Sequence, residues 1–370
     1  MVTLADKIKQ ERPADSLVPS QTNSKGLKVD PRQLLAGCDN RVDFDSLEKL
    51  ANRSILSAGA FDRQTVVELC KFAALLEVTE IAMHHPLDGK LVVTAFFEAS
   101  TRTRLSFESA VLRLDGKVVS VPDGRVTGTA KGESLADIGE MLNTYGDLVV
   151  LRHPATSSTE EIRQNLQLPL VNAGNGSGEH PTQALVDWCT ILKWRPILAQ
   201  PKVPPEEQLH IAIVGTPGSM RAVKSFMLMA LQFPEAIRQI TVVSEMVDSL
   251  GELLTERVRD CPIPVHYTND LQEVIREVDL VYMNSIAFLG DSYRNMDGRY
   301  KIDMDSGLPP HAVVMHPFAR NEELDTRLDT TPHNLYFAQA ASAVFTRQAL
   351  LIALLDRVRT LPPSIRLLTT

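Results

Sequence analysis

The feature that most restricts the fold of this chain is an alternation of short apolar, strand-like runs with helix-like stretches. KLVVTAFFEA, KVVSV, DLVVLR, LPLVNAG, LHIAIVG, QITVVSE, VDLVYMN and AVVMHP read as strands, and helix-like sequence lies between most of them. After the first run, Phe107, Ala110, Val111 and Leu114 fall at i, i+3, i+4 and i+7, one face of a helix. Gly116 then suits the helix stop. Strands alternating with helices imply α/β architecture with a parallel, doubly wound sheet. With 370 residues, two such sheets fit the chain. The proline-rich stretch KWRPILAQPKVPPEEQ breaks the pattern near position 200, which predicts a change of domain there. The first fifty residues or so are polar and mixed, and DSLVPSQTNSKG reads as a mobile or loosely docked arm.

Composition removes several classes of function. The formal net charge of −8 argues against nucleic acid as a general partner, while leaving room for a local basic site that binds a small anion. No apolar run reaches membrane-spanning length, and MVTLADKIKQERPADS has no signal-peptide core. The four cysteines, Cys38, Cys70, Cys189 and Cys261, are scattered without a CxxC pair. They read as reduced thiols of a cytoplasmic protein, and their spacing does not suggest zinc.

Ser100-Thr101-Arg102-Thr103-Arg104 follows a strand and opens the amphipathic helix. A serine there can cap the helix and leave the next backbone N–H groups free, and those groups with the helix dipole attract an anion. Thr101 and Thr103 add hydroxyl donors, and Arg102 adds a planar fork suited to phosphate. An ordinary capped helix needs only Ser100, so the further donors point to an anion site.

Around this motif the chain resembles the aspartate and ornithine carbamoyltransferases, the aspartate branch most of all. FFEASTRTRLSFES is similar to that branch's carbamoyl phosphate signature, and TGTAKGESLADI to its lysine-bearing loop. LRHP, NAGNGSGEHPTQALVDW, IVGTPGSMRAVKS and TPHNLYFAQAASAVFTRQALLIALL follow in the family's order, over roughly residues 54 to 356. The resemblance implies an N-terminal extension (1–50), a carbamoyl phosphate-binding domain (51–186), an acceptor-binding domain (187–335) and a C-terminal helix (336–370) that returns to the first domain, with interdomain helices linking the two.

Carbamoyl transfer is acyl transfer: an amine attacks the carbamoyl carbon, a tetrahedral oxyanion forms and phosphate leaves. It needs a dianion clamp, donors aimed at the carbonyl oxygen and a way to hold the amine close. It needs no metal, cofactor or covalent nucleophile. The resemblance assigns Ser100, Thr101, Arg102 and Thr103 to the phosphate. It assigns Thr103, Arg152 and His180 to the carbonyl oxygen, and Gln183 and the backbone near Pro317 and Phe318 to the carbamoyl NH2. Arg221 matches the arginine for the acceptor's α-carboxylate. Lys131 and Thr127 lie on a loop that in the family completes a neighbouring subunit's site, which implies a homotrimer. The extension could also dock a regulatory or dihydroorotase-type chain.

The acceptor half departs from the family. Ser285 and Ala287 stand where an arginine and a glutamine are expected, and Thr216 where an acid is expected. HPFAR has Ala319 in place of a proline that follows a cis bond, so the Phe318–Ala319 peptide is either trans or a non-proline cis bond. Aspartate is the default acceptor by family. The alternatives are a different amino acid, such as a diamino acid, or a non-catalytic paralogue that assembles with a true enzyme.

Overall fold

The computed structural model describes residues 25–38, 41–79, 81–124, 127–284, 298–363 and 365. Two parallel sheets carry the fold. In the first, β1 (Leu91–Phe96), β2 (Lys117–Val121), β3 (Leu148–His153) and β4 (Leu170–Asn175) lie in the order β2-β1-β3-β4. In the second, β5 (Leu209–Val214), β6 (Ile237–Val243), β7 (Val265–Thr268), β8 (Leu280–Met283) and β9 (Val313–Met315) lie in the order β7-β6-β5-β8-β9. Every pairing is parallel. The central strands are buried along their length, as parallel strands covered by helices on both faces must be. The order reverses between β1 and β3 and between β5 and β8. In open α/β sheets a crevice forms at such a reversal, outside the carboxyl ends of the strands.

The helices are α1 (Pro31–Gly37), α2 (Phe44–Glu48), α3 (Arg63–Val78), α4 (Thr101–Arg113), α5 (Leu135–Leu142), α6 (Ser158–Ile162), α7 (Pro181–Trp194), α8 (Arg221–Ala230), α9 (Gly251–Arg259) and α10 (Tyr336–Leu354). Phe107, Ala110, Val111 and Leu114 are all buried, as the spacing predicts. The helix stop differs from the expectation. Asp115, not Gly116, takes the left-handed position, with φ 64°. The N–H groups of Gly116 and Asp115 then donate to the carbonyls of Val111 and Leu112, at 3.0 and 3.2 Å, closing the helix in a Schellman arrangement. Gly116 is still required, because a Cβ there would lie 2.7 Å from the Val111 side chain.

α7 joins the domains. It packs on α3 and α10 in the first and on α8 in the second. Its Trp188 stacks on Phe233 at 4.1 Å between ring centres, and Phe226 stacks on Tyr282 at 3.9 Å. Lys193 at its end makes a buried ion pair with Glu77 of α3 at 2.9 Å. α10 carries the chain back across α3, α4 and α7.

Four expectations need correction. Cys70 on α3 and Cys189 on α7 form a disulfide, with Cα atoms 4.8 Å apart. The helices are far apart in sequence, so their contact is invisible without the fold. The thiol argument for a cytoplasmic chain loses its basis. DSLVPSQTNSKG lies outside the described residues but for its last two, whereas the later part of the N-terminal extension is docked: Val29, Leu34, Leu35, Val42, Phe44, Leu47 and Leu50 are buried in the main core. α10 is long and apolar enough to cross a membrane by length and composition, yet most of it is buried within the protein. β7 was not read as a strand, because it is a four-residue edge strand with exposed or half-exposed side chains.

Breaking a buried ion pair on one side leaves an uncompensated charge, at about 3–5 kcal/mol. Glu77→Ala is therefore expected to lose about that much in chemical unfolding, whereas the double change Glu77→Leu, Lys193→Met should lose far less. Equal losses from the two proteins contradict this assignment.

Candidate active site

The carboxyl ends of the two sheets face one cavity of about 780 Å³. Ser100, Thr101, Arg102 and Thr103 line it from the start of α4, Arg152 from β3, His180 and Gln183 from the start of α7, Arg221 from the start of α8, and Pro317 and Phe318 from the turn after β9. The structure therefore brings these sequence-predicted residues into one space. Thr127 and Lys131 do not line it. Thr127 donates its hydroxyl to the Gly124 carbonyl at 2.6 Å, and Lys131 is exposed at the end of a 3-10 turn. Ser285, Ala287 and Arg294 lie outside the described residues. Arg299 pairs with Glu245 at 3.8 Å and does not line the cavity.

At the α4 end, Ser100 holds the N-cap position but makes no side-chain cap bond. The expected capping role is thus corrected, and Ser100 lines the cavity instead. A helix N-terminus carries partial positive charge and unsatisfied N–H groups. The Arg102 guanidinium lies 5.6 Å from the centre of the Phe318 ring, a cation–π contact across the two domains. Arg104 faces the other way and pairs with Glu108 at 3.7 Å.

Arg152 is buried, and its position depends on a glycine. Gly174 has φ 116°, and a Cβ there would lie 2.6 Å from a guanidinium nitrogen of Arg152. Arg152 donates to the Ala173 carbonyl at 3.1 Å and to Glu98 at 2.9 Å. Glu98 also accepts from both terminal nitrogens of Arg221, at 3.1 and 3.2 Å, so one carboxylate bridges the two domains. Burial, then repulsion from Arg221, pushes the Arg152 pKa down to about 10, with Glu98 opposing. Burial also opposes ionisation of Glu98, but Arg152 and Arg221 outweigh it and hold its carboxyl below the usual range.

His180 is buried before α7. Its ring Nε2 lies 3.4 Å from the Thr103 hydroxyl, and its backbone N–H donates to the Ser225 hydroxyl at 2.8 Å. Burial, then repulsion from Arg152, Arg347 and Arg221, holds the imidazole well below its ordinary range. A neutral imidazole has one N–H donor, so it can hydrogen-bond a carbonyl oxygen without adding a full charge.

Sequence reasoning missed Glu98, Asp187, Gln339 and Arg347. Glu98 stood inside the signature, directly before a basic cluster, and that signal could have found it. Asp187 lies one helical turn after Gln183 and accepts from it at 2.7 Å. Gln339 and Arg347 line the cavity from α10. Arg347 is buried, lies 4.7 Å from the Phe107 ring centre and donates to the Ser106 hydroxyl. The Phe318–Ala319 peptide is cis, which settles the alternative left open by the sequence.

The site can hold an anion, polarise a carbonyl and receive an amine beside it. Its neutral histidine has a direct readout. In nitrogen-detected NMR the His180 ring is expected to titrate with a midpoint well below the ordinary value near 6.5. A midpoint at or above that ordinary value contradicts the burial and cation effects described above.

Comparisons with known proteins agree with this geometry. Residues 53–193 match the aspartate/ornithine carbamoyltransferase carbamoyl-P binding domain, and residues 207–354 match the family's Asp/Orn binding domain. The aspartate carbamoyltransferase catalytic subunit of Pyrobaculum islandicum is 33% identical over 318 residues, covering 82% of this chain and 98% of that one. The chloroplastic aspartate carbamoyltransferase of Arabidopsis thaliana is 32% identical, covering 84% of this chain and 79% of that one. The crystal structure of the Trypanosoma cruzi aspartate transcarbamoylase with aspartate and phosphate superposes with TM-score 0.73 at 31% identity, covering 84% of this chain and 96% of that one. Two domain matches in order, relatives aligned over most of their length and a shared two-sheet fold lead to one conclusion: this chain belongs to the aspartate/ornithine carbamoyltransferase family.

Proposed function

We propose that this protein moves the carbamoyl group of carbamoyl phosphate to the amine of aspartate, giving N-carbamoyl-aspartate for pyrimidine biosynthesis. The observation that carries this reading is the meeting of Arg102, Arg152, Arg221 and a neutral His180 around one cavity at the carboxyl ends of both sheets. Residues 51–186 then form the donor domain and 187–335 the acceptor domain.

Ser100, Thr101, Arg102 and Thr103 hold the phosphate, using hydroxyls, the guanidinium fork and the N–H groups at the start of α4. The carbonyl oxygen sits among Thr103, Arg152 and His180, which stabilise it as it becomes an oxyanion. The carbamoyl NH2 donates to the side chain of Gln183 and to backbone oxygen at Pro317 and Phe318. Arg221 receives the acceptor's α-carboxylate, exchanging Glu98 for it in part. The amine attacks the carbamoyl carbon, the C–O bond to phosphate breaks, and the leaving phosphate takes the amine's proton.

Lys131 and Thr127 complete the phosphate site of a neighbouring copy in a homotrimer. Their place outside their own chain's cavity supports this, as do the exposed apolar side chains of Leu105 and Leu112 on α4 and Val119 on β2. Leu105 also lines the cavity, so the apolar face runs up to the site. A second reading, transfer to an amino acid with a less acidic side chain, is favoured by Ser285 and Ala287, which cannot form an arginine–carboxylate pair.

A colorimetric ureido assay with carbamoyl phosphate across a panel of amino acids tests the reaction. Product with aspartate is expected. Product with a diamino acid alone supports the second reading, and no product with any acceptor sinks both. A charged hydrogen bond contributes about 1.5–3 kcal/mol, so Arg102→Ala is expected to raise the KM for carbamoyl phosphate by about tenfold or more. Arg104→Ala should leave that KM nearly unchanged. For the trimer, Lys131→Ala and His180→Ala proteins are each expected to be nearly inactive alone. After dissociation and mixing they should recover activity, because some hybrid sites hold both native residues. Mixing without recovery contradicts a shared site.

A further inference from the structure

A side-chain amide looks symmetrical, but its two ends have opposite roles. The nitrogen donates and the oxygen accepts, and the surrounding hydrogen bonds decide which end faces which way. At the floor of the cavity that decision falls to one buried carboxylate. Oδ1 of Asp187 accepts from Nε2 of Gln183 at 2.7 Å and from Nε2 of Gln339 at 2.6 Å. Oδ2 accepts from the Tyr282 hydroxyl at 2.8 Å. Oε1 of Gln339 in turn accepts from the backbone N–H of His316 at 2.9 Å, at the entry to the Pro317–Phe318 turn. Gln183 and Gln339 both line the cavity, while Asp187 lies behind them on α7, fully buried.

We propose that Asp187 is the positioning residue that turns the oxygen of the Gln183 amide toward the substrate and, through Gln339, anchors the His316–Phe318 turn to the same carboxylate. This rests on the reading that the carbamoyl NH2 donates to Gln183. With its nitrogen tied to Asp187, Gln183 has its oxygen left for the cavity, which is the atom an NH2 group needs. The three donors reach the carboxylate from α7, from β8 of the second sheet and from α10. Asp187 thus sets the donor-side amide and the acceptor-side turn together. An uncharged residue in its place lets Gln183 rotate by half a turn, and two NH2 groups then face one another.

Among the charged and titratable groups facing Asp187 are Tyr282 from β8 and Arg347 from α10. Burial raises the carboxyl to about 6, against the hydrogen bonds from Gln339, Tyr282 and Gln183 and the charge of Arg347. Protonation removes acceptor capacity that three donors use. The carboxylate must therefore be ionised for the arrangement to hold.

The test uses the full-length protein in the ureido assay with carbamoyl phosphate and aspartate. Loss of a charged hydrogen bond predicts that Asp187→Asn lowers kcat by about tenfold or more, while the affinity for inorganic phosphate, read by calorimetry, stays within about twofold. Residues acting as a unit are not additive, so Asp187→Asn with Gln183→Ala should lose less than the product of the two single losses. Unchanged kcat, fully multiplicative losses, or an equal loss of phosphate affinity overturns the proposal. If Asp187→Asn does not fold, Tyr282→Phe removes a single hydrogen bond that lowers the Asp187 pKa. The acid limb of its pH–rate profile should then move to higher pH than in the wild type, with the same substrates on both sides. An unmoved limb overturns the proposal. An inactive wild type would remove the proposed function and this inference together, whereas an active wild type with an indifferent Asp187→Asn removes the inference alone.

Discussion

Arg152 and Arg221 converge on one cavity that Arg102 also lines, and part of that charge must be neutralised before substrate arrives. Glu98 does this, bridging Arg152 of the first domain to Arg221 of the second. Without it, repulsion between buried cations would push the domains apart. With it, the site holds its cations at fixed positions and still presents a net attraction for anions. An incoming dianion and an acceptor carboxylate meet charge that is already in place, which is how a preorganised site stabilises a developing oxyanion.

The two-sheet architecture makes this convergence possible. Each sheet reverses its strand order at its centre, and each reversal opens a crevice at the carboxyl ends. The residues after β1, β3, β4, β5 and β9 project there whatever their identity; the sequence then places hydroxyls, arginines, a histidine and a glutamine at those positions. The rigid connection through α7 and α10 matters as much. α7 begins with His180 before its first turn and ends in the Glu77–Lys193 pair. It packs on both domains, so the donor side chains are fixed to the same helix that carries the acceptor domain.

How much of this was legible in the sequence depends on the range of the interaction. Period and turn chemistry are local, so the strands and the buried face of α4 followed from residue spacing. The anion-site reading of Ser100, Thr101, Arg102 and Thr103 followed from a local cluster of donors at a helix start, whereas Arg152, His180 and Gln183 entered only through the family resemblance. The Cys70–Cys189 pair and the docking of Val29 to Leu50 are contacts between distant segments that no local pattern encodes; Glu98 stood beside the basic cluster, but its bridge to Arg221 of the second domain needed the fold. Asp115 in the left-handed position shows a narrower failure: glycine was the obvious stop, and the residue before it took the role, as aspartate can. β7 carries too few residues and too little burial to produce a strand signal. In the acceptor half, Arg221 was legible through the family resemblance, and Thr216, Ser285 and Ala287 as departures from it.

The central claim is that a doubly charged leaving group is gripped at the start of α4 and by the arginines facing it. The most direct measurement is calorimetric titration of the full-length protein with carbamoyl phosphate, repeated with Arg102→Ala. Saturable heat from the wild type, abolished or weakened at least about tenfold by the substitution, is the expected result. No heat from the wild type at millimolar ligand, or equal affinity in the two proteins, would contradict it.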